Sequence, residues 1–426
     1  MTISYTKFNS DSIYHFSNED DTDDAIEFLK DPTNFRAFHQ GLSEIMLQKS
    51  YVAKSATPNE MAQVLSAKLT EIGSSLSLST VNSWFTGEHR PKVEAGYRKQ
   101  IYEICYALKL DLEETLWFFH HVYYDRAFNC HTIDESVFYY CFKNHISYKA
   151  ALDIIAKIKD SPIVSSSSET SPNYTSFVQQ RIEEIDSIDE LISFLSFNRE
   201  NFSSWNESAY NKLDDLVSKL LPTENGKNEI AAIKRKMKRK NSSFGLIPKL
   251  KAQEEWGLVM KEFFHGYFDV EYLDILEGKN IQSKNFLLEQ ILGMRLTTEK
   301  KKDRFIDRAS IPDIVKNNFP SRKTMSDVLS KEKVTQSKSY DSIRKLIILL
   351  EFYRYWCEIK LTTKEDNYID ISLRDVFIEE LNHTLYLCGH AKMYAGNPYD
   401  WIFMCSAQAE DPLSYFRQCI TYLLDE

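Results

Sequence analysis

Few positions in this chain can stop a helix. Its 426 residues include only 12 Gly and 11 Pro, the residues that supply most sharp turns and end most helices. A strand-and-turn architecture needs such residues at every reversal, so their scarcity favours long helices and predicts an all-α fold. The length allows two or three domains with substantial cores. With 26 Phe and 24 Tyr, those cores are expected to be rich in aromatic rings.

Helical periodicity can be followed along most of the chain. Residues 1–44 read as an acidic leader and the first helices of an N-terminal domain, broken near Pro32. Residues 45–158 read as the body of that domain. Asp111 is placed to cap the segment LEETLWFFHHVYY, and Thr132 with Glu135 has the spacing of a capping box. The patterns TIDESVFYYCFKN and SYKAALDIIAKIK then suggest a helical hairpin packed on that body. Residues 159–175, KDSPIVSSSSETSPNYT, are rich in Ser with two Pro and read as a linker. Residues 176–426 form the expected C-terminal helical domain, with a sub-boundary near 222–245. Its aromatic segment RKLIILLEFYRYW reads as core, and Asn397-Pro398 and Asp411-Pro412 mark helix starts. No regular internal repeat is found, which argues against a solenoid.

One stretch, Ser77–Pro91 (SLSTVNSWFTGEHRP), carries a denser set of signals. Ser77 suits an N-cap, Gly87 a left-handed helix exit, and Pro91 a stop. Val81, Trp84 and Phe85 at i, i+3 and i+4 make one apolar face. Ser79, Thr80, Asn82, Ser83 and Thr86 occupy the rest with short side chains able to bond to bases or phosphates. The pattern Ser77-x-x-Thr80-Val81-Asn82-x-Trp84-x-x-Gly87-x-x-Arg90-Pro91 resembles the third helix and exit loop of the phage-repressor (Cro/Xre-type) helix-turn-helix. The following YRKQIYEICYALKLDLEET resembles that family's fourth and fifth helices. Leu78 stands where a polar residue is usual, Phe85 where an acidic one is common, and extra residues precede Ser77. The likeness covers at most roughly 70 residues. It implies that the helix beginning after Ser77 enters the major groove of double-stranded DNA. Ser79, Asn82 and Ser83 would approach base edges, while Arg90, Lys92 and Arg98 would hold phosphates.

Charge is compatible with local DNA contacts but not with indiscriminate polyanion binding. The formal net charge is −10. Residues 1–44 hold three basic against nine acidic side chains, whereas residues 45–110 hold eight basic against five acidic. A second basic run, Lys227–Lys240, has seven basic residues and one acid, and reads first as a solvated face or linker. Seven cysteines, an odd number without CxxC spacing, indicate neither a disulfide framework nor a zinc ribbon. No segment has the apolar length of a membrane span or a secretory signal, so a cytoplasmic protein without membrane contact is expected.

Enzymatic signatures are sparse. No Walker A loop, dinucleotide fingerprint or nucleophile elbow occurs. His120, His121, Cys130, His131, Cys141 and His145 lie close in sequence but match no zinc module, so no metal and no cofactor are expected. Arg126 and His131 fit the loose arginine–histidine spacing of the helical HEPN ribonucleases. With 10 His in the chain, about one such match is expected by chance. The leading expectation is a sequence-specific DNA-binding homodimer regulating transcription, its C-terminal domain serving dimerisation or sensing of a small-molecule or peptide effector. The alternative is a defence-type or toxin-like effector, a ribonuclease for instance, that uses the helix-turn-helix as sensor or scaffold.

Overall fold

A computed structural model of the chain describes residues 5–16, 22–31, 33–93, 95–130, 132–161, 174–199, 202, 207–221, 283–292, 318–330, 340–362 and 371–420. These residues form 18 α-helices and one π-turn, with no strand among them, so the fold is all-α. No helix among them is long and apolar enough to cross a membrane. The basic run Lys227–Lys240, the 222–245 sub-boundary and His131 lie outside the described residues.

The chain opens with α1 (Tyr5–His15) and α2 (Thr22–Lys30). A first compact series follows: α3 (Phe38–Gln48), α4 (Pro58–Glu71), α5 (Leu78–Phe85), α6 (Ala95–Ala107) and α7 (Leu112–Phe118). Helix α7 runs directly into the π-turn Phe119–Tyr123, and α8 (Ile133–Lys143), α9 (Tyr148–Asp160), α10 (Tyr174–Glu184) and α11 (Ile188–Phe197) complete the series. The remaining helices are α12 (Glu207–Leu220), α13 (Lys284–Leu292), α14 (Arg322–Ser330), α15 (Tyr340–Thr362), α16 (Ile371–Leu387), α17 (Pro398–Ser406) and α18 (Pro412–Ile420).

Two hydrophobic cores organise these helices, and their membership departs from the order of the sequence. One core is built from α3 to α11, with the α8–α9 hairpin packed into it. Helices α10 and α11 lie beyond the Ser-rich stretch, yet Val178, Ile182, Leu191 and Leu195 are buried against α8 and α9. The expected division at 159–175 is therefore not where the cores divide. The other core takes α12 to α18 together with α1 and α2. The first helices, expected in the same domain as α3 to α9, pack instead on α17 and α18. The reason is visible around Trp401. Its ring stacks on Phe28 at 4.7 Å, and its indole N–H donates to Ser12 Oγ at 3.0 Å. The chain crosses between the cores at Arg36, since Phe35 belongs to one and Phe38 to the other.

Helix α15 is the axis of the second core. Leu346, Ile347, Ile348, Leu349 and Leu350 are all fully buried, the signature of a helix covered on every side. Several of its charged residues are matched within the protein. Arg344 grips Asp400 with two bonds of 2.8 and 2.7 Å, and Glu351 pairs with Lys212 at 2.8 Å and Arg354 at 2.7 Å. At its start, Tyr340 reaches into the first core, accepting a hydrogen bond from Asn129 and donating one to Gly389 O at 2.6 Å.

Candidate nucleic-acid interface

Helix α4 is launched by a complete capping box: Thr57 Oγ1 accepts from Glu60 N, and Glu60 Oε2 accepts from Thr57 N. It ends where Gly73 takes a φ of +83°. Gly73 N–H bonds to Thr70 O and Ser74 N–H to Leu69 O, the paired closure of a Schellman turn. Residues 72–77 then carry the chain to α5, a longer connection than the three or four residues of a minimal helix-turn-helix. These are the extra residues noted before Ser77.

Helix α5 is set by the signals read from its sequence. Ser77 Oγ accepts from Thr80 N at 3.1 Å, and Gly87 ends the helix at a φ of +77°. Val81, Trp84 and Phe85 are buried, facing α3 and α4, and the Trp84 ring meets Phe38 edge-on at 6.1 Å. Helix α3 is also drawn against the π-turn at Gly41. A Cβ there would lie 2.4 Å from Val122 Cγ2, so only glycine allows this approach. The inner side of α5 is therefore rigidly backed.

The outer side carries the predicted readers. Ser79 and Thr86 are exposed, Thr80, Asn82 and Ser83 half-exposed, and Leu78 is 45% exposed at the first position of the helix. Four hydroxyls are occupied locally: those of Ser77 and Thr80 with each other, that of Ser83 with Thr80 O, and that of Thr86 with Ser83 O. Asn82 is half-exposed as a residue, but its Oδ1 is buried and has no hydrogen-bond partner among the described residues. Beyond α5, Lys92 is exposed while its carbonyl accepts from the Tyr123 hydroxyl, which fixes the exit loop. Arg90 is half-exposed, its guanidinium 5.9 Å from the Tyr124 ring.

Arg98 does not belong with this set. Only 1% exposed, it lies inside the first core. Its Nε donates to Glu135 at 2.6 Å, its Nη1 to Asp125, and its Nη2 to the carbonyls of Arg126 and Ala127 at 2.9 and 3.0 Å. Burial opposes its charge, but Glu135 and Asp125 outweigh burial and raise its pKa. Burial also pushes the Asp125 carboxyl up to about 6, against the pull of Arg98. Phosphate binding by Arg98, expected from its position after the exit turn, is ruled out by these two buried carboxylates.

Other candidates resolve differently. Arg126 donates to Gln179 at 3.0 Å and lies 4.6 Å over the Tyr386 ring, forming part of the seam between the cores. All seven cysteines are buried and free. Among the described residues, no group of three or more His, Cys, Asp or Glu is placed to hold a metal ion. His120 and His121 instead pack on the Tyr394 ring at 4.7 and 5.0 Å. Burial, reinforced by His121 and Arg344, lowers the His120 pKa to about 4. The π-turn that carries these histidines, closed by Tyr124 at a φ of +63°, had no recognisable local signal in the sequence. Compared with models of known families, with curated proteins and with solved structures, the chain finds no match.

Proposed function

We propose that this protein binds double-stranded DNA in a sequence-specific manner and regulates transcription. The observation that carries the reading is α5 itself: a short, capped helix, buried on its Val81/Trp84/Phe85 side, that offers Ser79, Asn82, Ser83 and Thr86 on the other. Short polar side chains on a rigid helix suit base edges in the major groove, while Arg90 and Lys92 at the exit suit phosphates. A homodimer would present two such helices about 34 Å apart, one turn of DNA. The second core would then serve dimerisation or effector sensing.

Selection of duplexes from a random-sequence pool by the full-length protein tests this reading. Enrichment of a defined sequence is expected. Asn82→Ala should weaken that duplex by about 1–3 kcal/mol and relax one base preference. Arg90→Ala should weaken all duplexes alike and reduce the salt slope by about 0.9. A pool that yields no enriched sequence sinks the proposal.

A further inference from the structure

The seam between the two cores holds a cleft of about 840 Å³. One wall comes from α7, the π-turn and α10, and the other from the end of α16 and the residues after it. Leu116 and Tyr386, two of the exposed large apolar side chains among the described residues, stand at this cleft beside half-buried Trp117. Apolar surface gathered at a concavity is the usual composition of a small-molecule site.

Two cations face the same space, Arg126 and Lys392. Among the described residues, Arg126 bonds only to neutral acceptors, Gln179 Oε1 and, at 3.4 Å, Tyr386 O. No described carboxylate lies within ion-pair distance of either cation. Three acidic residues also line the cleft. Asp125 is held by Arg98, and Glu183 accepts from the Tyr139 hydroxyl at 2.8 Å. Glu113 sits in the first turn of α7, where the helix dipole favours its charge.

The backbone under each cation is fixed by a buried guanidinium. Arg98 holds the carbonyls of Arg126 and Ala127, and Arg344 holds those of Ala391 and Lys392, both at 3.1 Å. Each is itself anchored on a buried carboxylate, Asp125 or Asp400. Two positive charges with no carboxylate partner among the described residues are thus held in place on opposite walls of an apolar-rimmed cleft, next to a π-turn of the kind that clusters at functional sites.

We infer that this cleft binds a small organic carboxylate, its anionic head between Arg126 and Lys392 and its apolar body against Leu116, Trp117 and Tyr386. The site stands independently of the DNA-binding reading. Isothermal titration of the full-length protein with indole-3-acetate and octanoate tests it, with tryptamine and octylamine as charge-reversed counterparts. At least one carboxylate should bind with a Kd below about 1 mM, at least tenfold tighter than its amine. Lys392→Gln, at an exposed position, should keep the thermal transition and weaken that binding at least tenfold. Arg126→Gln should weaken that binding likewise, while Arg126→Lys, which keeps the charge, should retain most of it. Binding of neither carboxylate, equal binding of the amines, or affinity unchanged in Lys392→Gln and Arg126→Gln would each overturn the inference.

Discussion

Replacing Arg98 with Ala separates a structural cation from a DNA-binding one. The guanidinium is 1% exposed and holds two carboxylates of similar burial, Asp125 and Glu135, together with two backbone carbonyls. Removing it leaves those carboxylates in the interior with no cation, a defect that costs about 3–5 kcal/mol. That is a large share of the 5–15 kcal/mol typical of a folded domain. The loss should grow with pH. Burial raises the Asp125 carboxyl to about 6 even with Arg98 pulling it down, and without that cation it rises further, so toward low pH it takes up a proton and its unpaired charge disappears. Urea unfolding followed by far-UV circular dichroism at pH 5 and pH 7.5 reads both effects as a shift of midpoint. The triple variant Arg98→Met, Asp125→Asn, Glu135→Gln removes all three charges together and should recover most of the stability. If Arg98→Ala unfolds at the wild-type midpoint and instead lowers the salt slope of DNA binding by about 0.9, Arg98 is a phosphate contact and the buried network is wrong.

Three further outcomes are expected. Trp84→Ala, which empties the contact between α5 and Phe38, should destabilise the first core by about 3–5 kcal/mol, measured by denaturant unfolding; an unchanged transition means that α5 does not pack as described. Gly41→Ala should cost about 1–3 kcal/mol by overpacking against Val122, and Gly41→Ala with Val122→Ala should recover part of it; a neutral single variant refutes the close approach. His120 titrates near 4 when folded and near 6.5 when unfolded. The unfolded chain therefore binds the proton first, and His120 lowers stability as pH falls from 6.5 to 4, by up to about 3 kcal/mol. Melting curves of wild type and His120→Gln across that range should diverge toward low pH; parallel curves contradict the burial.

The elements legible in the sequence are those whose determinants lie within one turn of each other. Ser77, Gly87 and the Val81/Trp84/Phe85 face define α5 without outside help, and the structure has all of them in those roles. Asp111 caps α7 through Glu114 N at 2.8 Å, and Asn397 caps α17 through Tyr399 N at 3.0 Å. The apolar excess of RKLIILLEFYRYW similarly marks a helix covered on all sides, because no amphipathic stripe remains to face water. What an amphipathic face cannot reveal is which surface covers it. Ala25, Ile26 and Leu29 announce that α2 is buried on one side. That α18 does the burying, nearly 400 residues later, is a property of the whole fold.

Arg98 shows the same limit at the level of one side chain. A basic residue shortly after α5 suits a phosphate or a buried acid equally well, and the acids that decide the matter lie 27 and 37 residues away. The network did leave one local trace, at Glu135. Thr132 and Glu135 have the spacing of a capping box, and Thr132 Oγ1 does accept from Glu135 N at 3.1 Å. The reciprocal half is not made. The Glu135 carboxylate turns inward to Arg98 and to the backbone N–H of Asn129. An exposed capping bond is worth about 1 kcal/mol, whereas leaving a buried guanidinium without this partner costs several, so the tertiary contact wins. A capping residue that abandons its own helix end therefore marks the buried cation, and the backbone that Arg98 holds at 126–127 ties this network to the cleft between the cores.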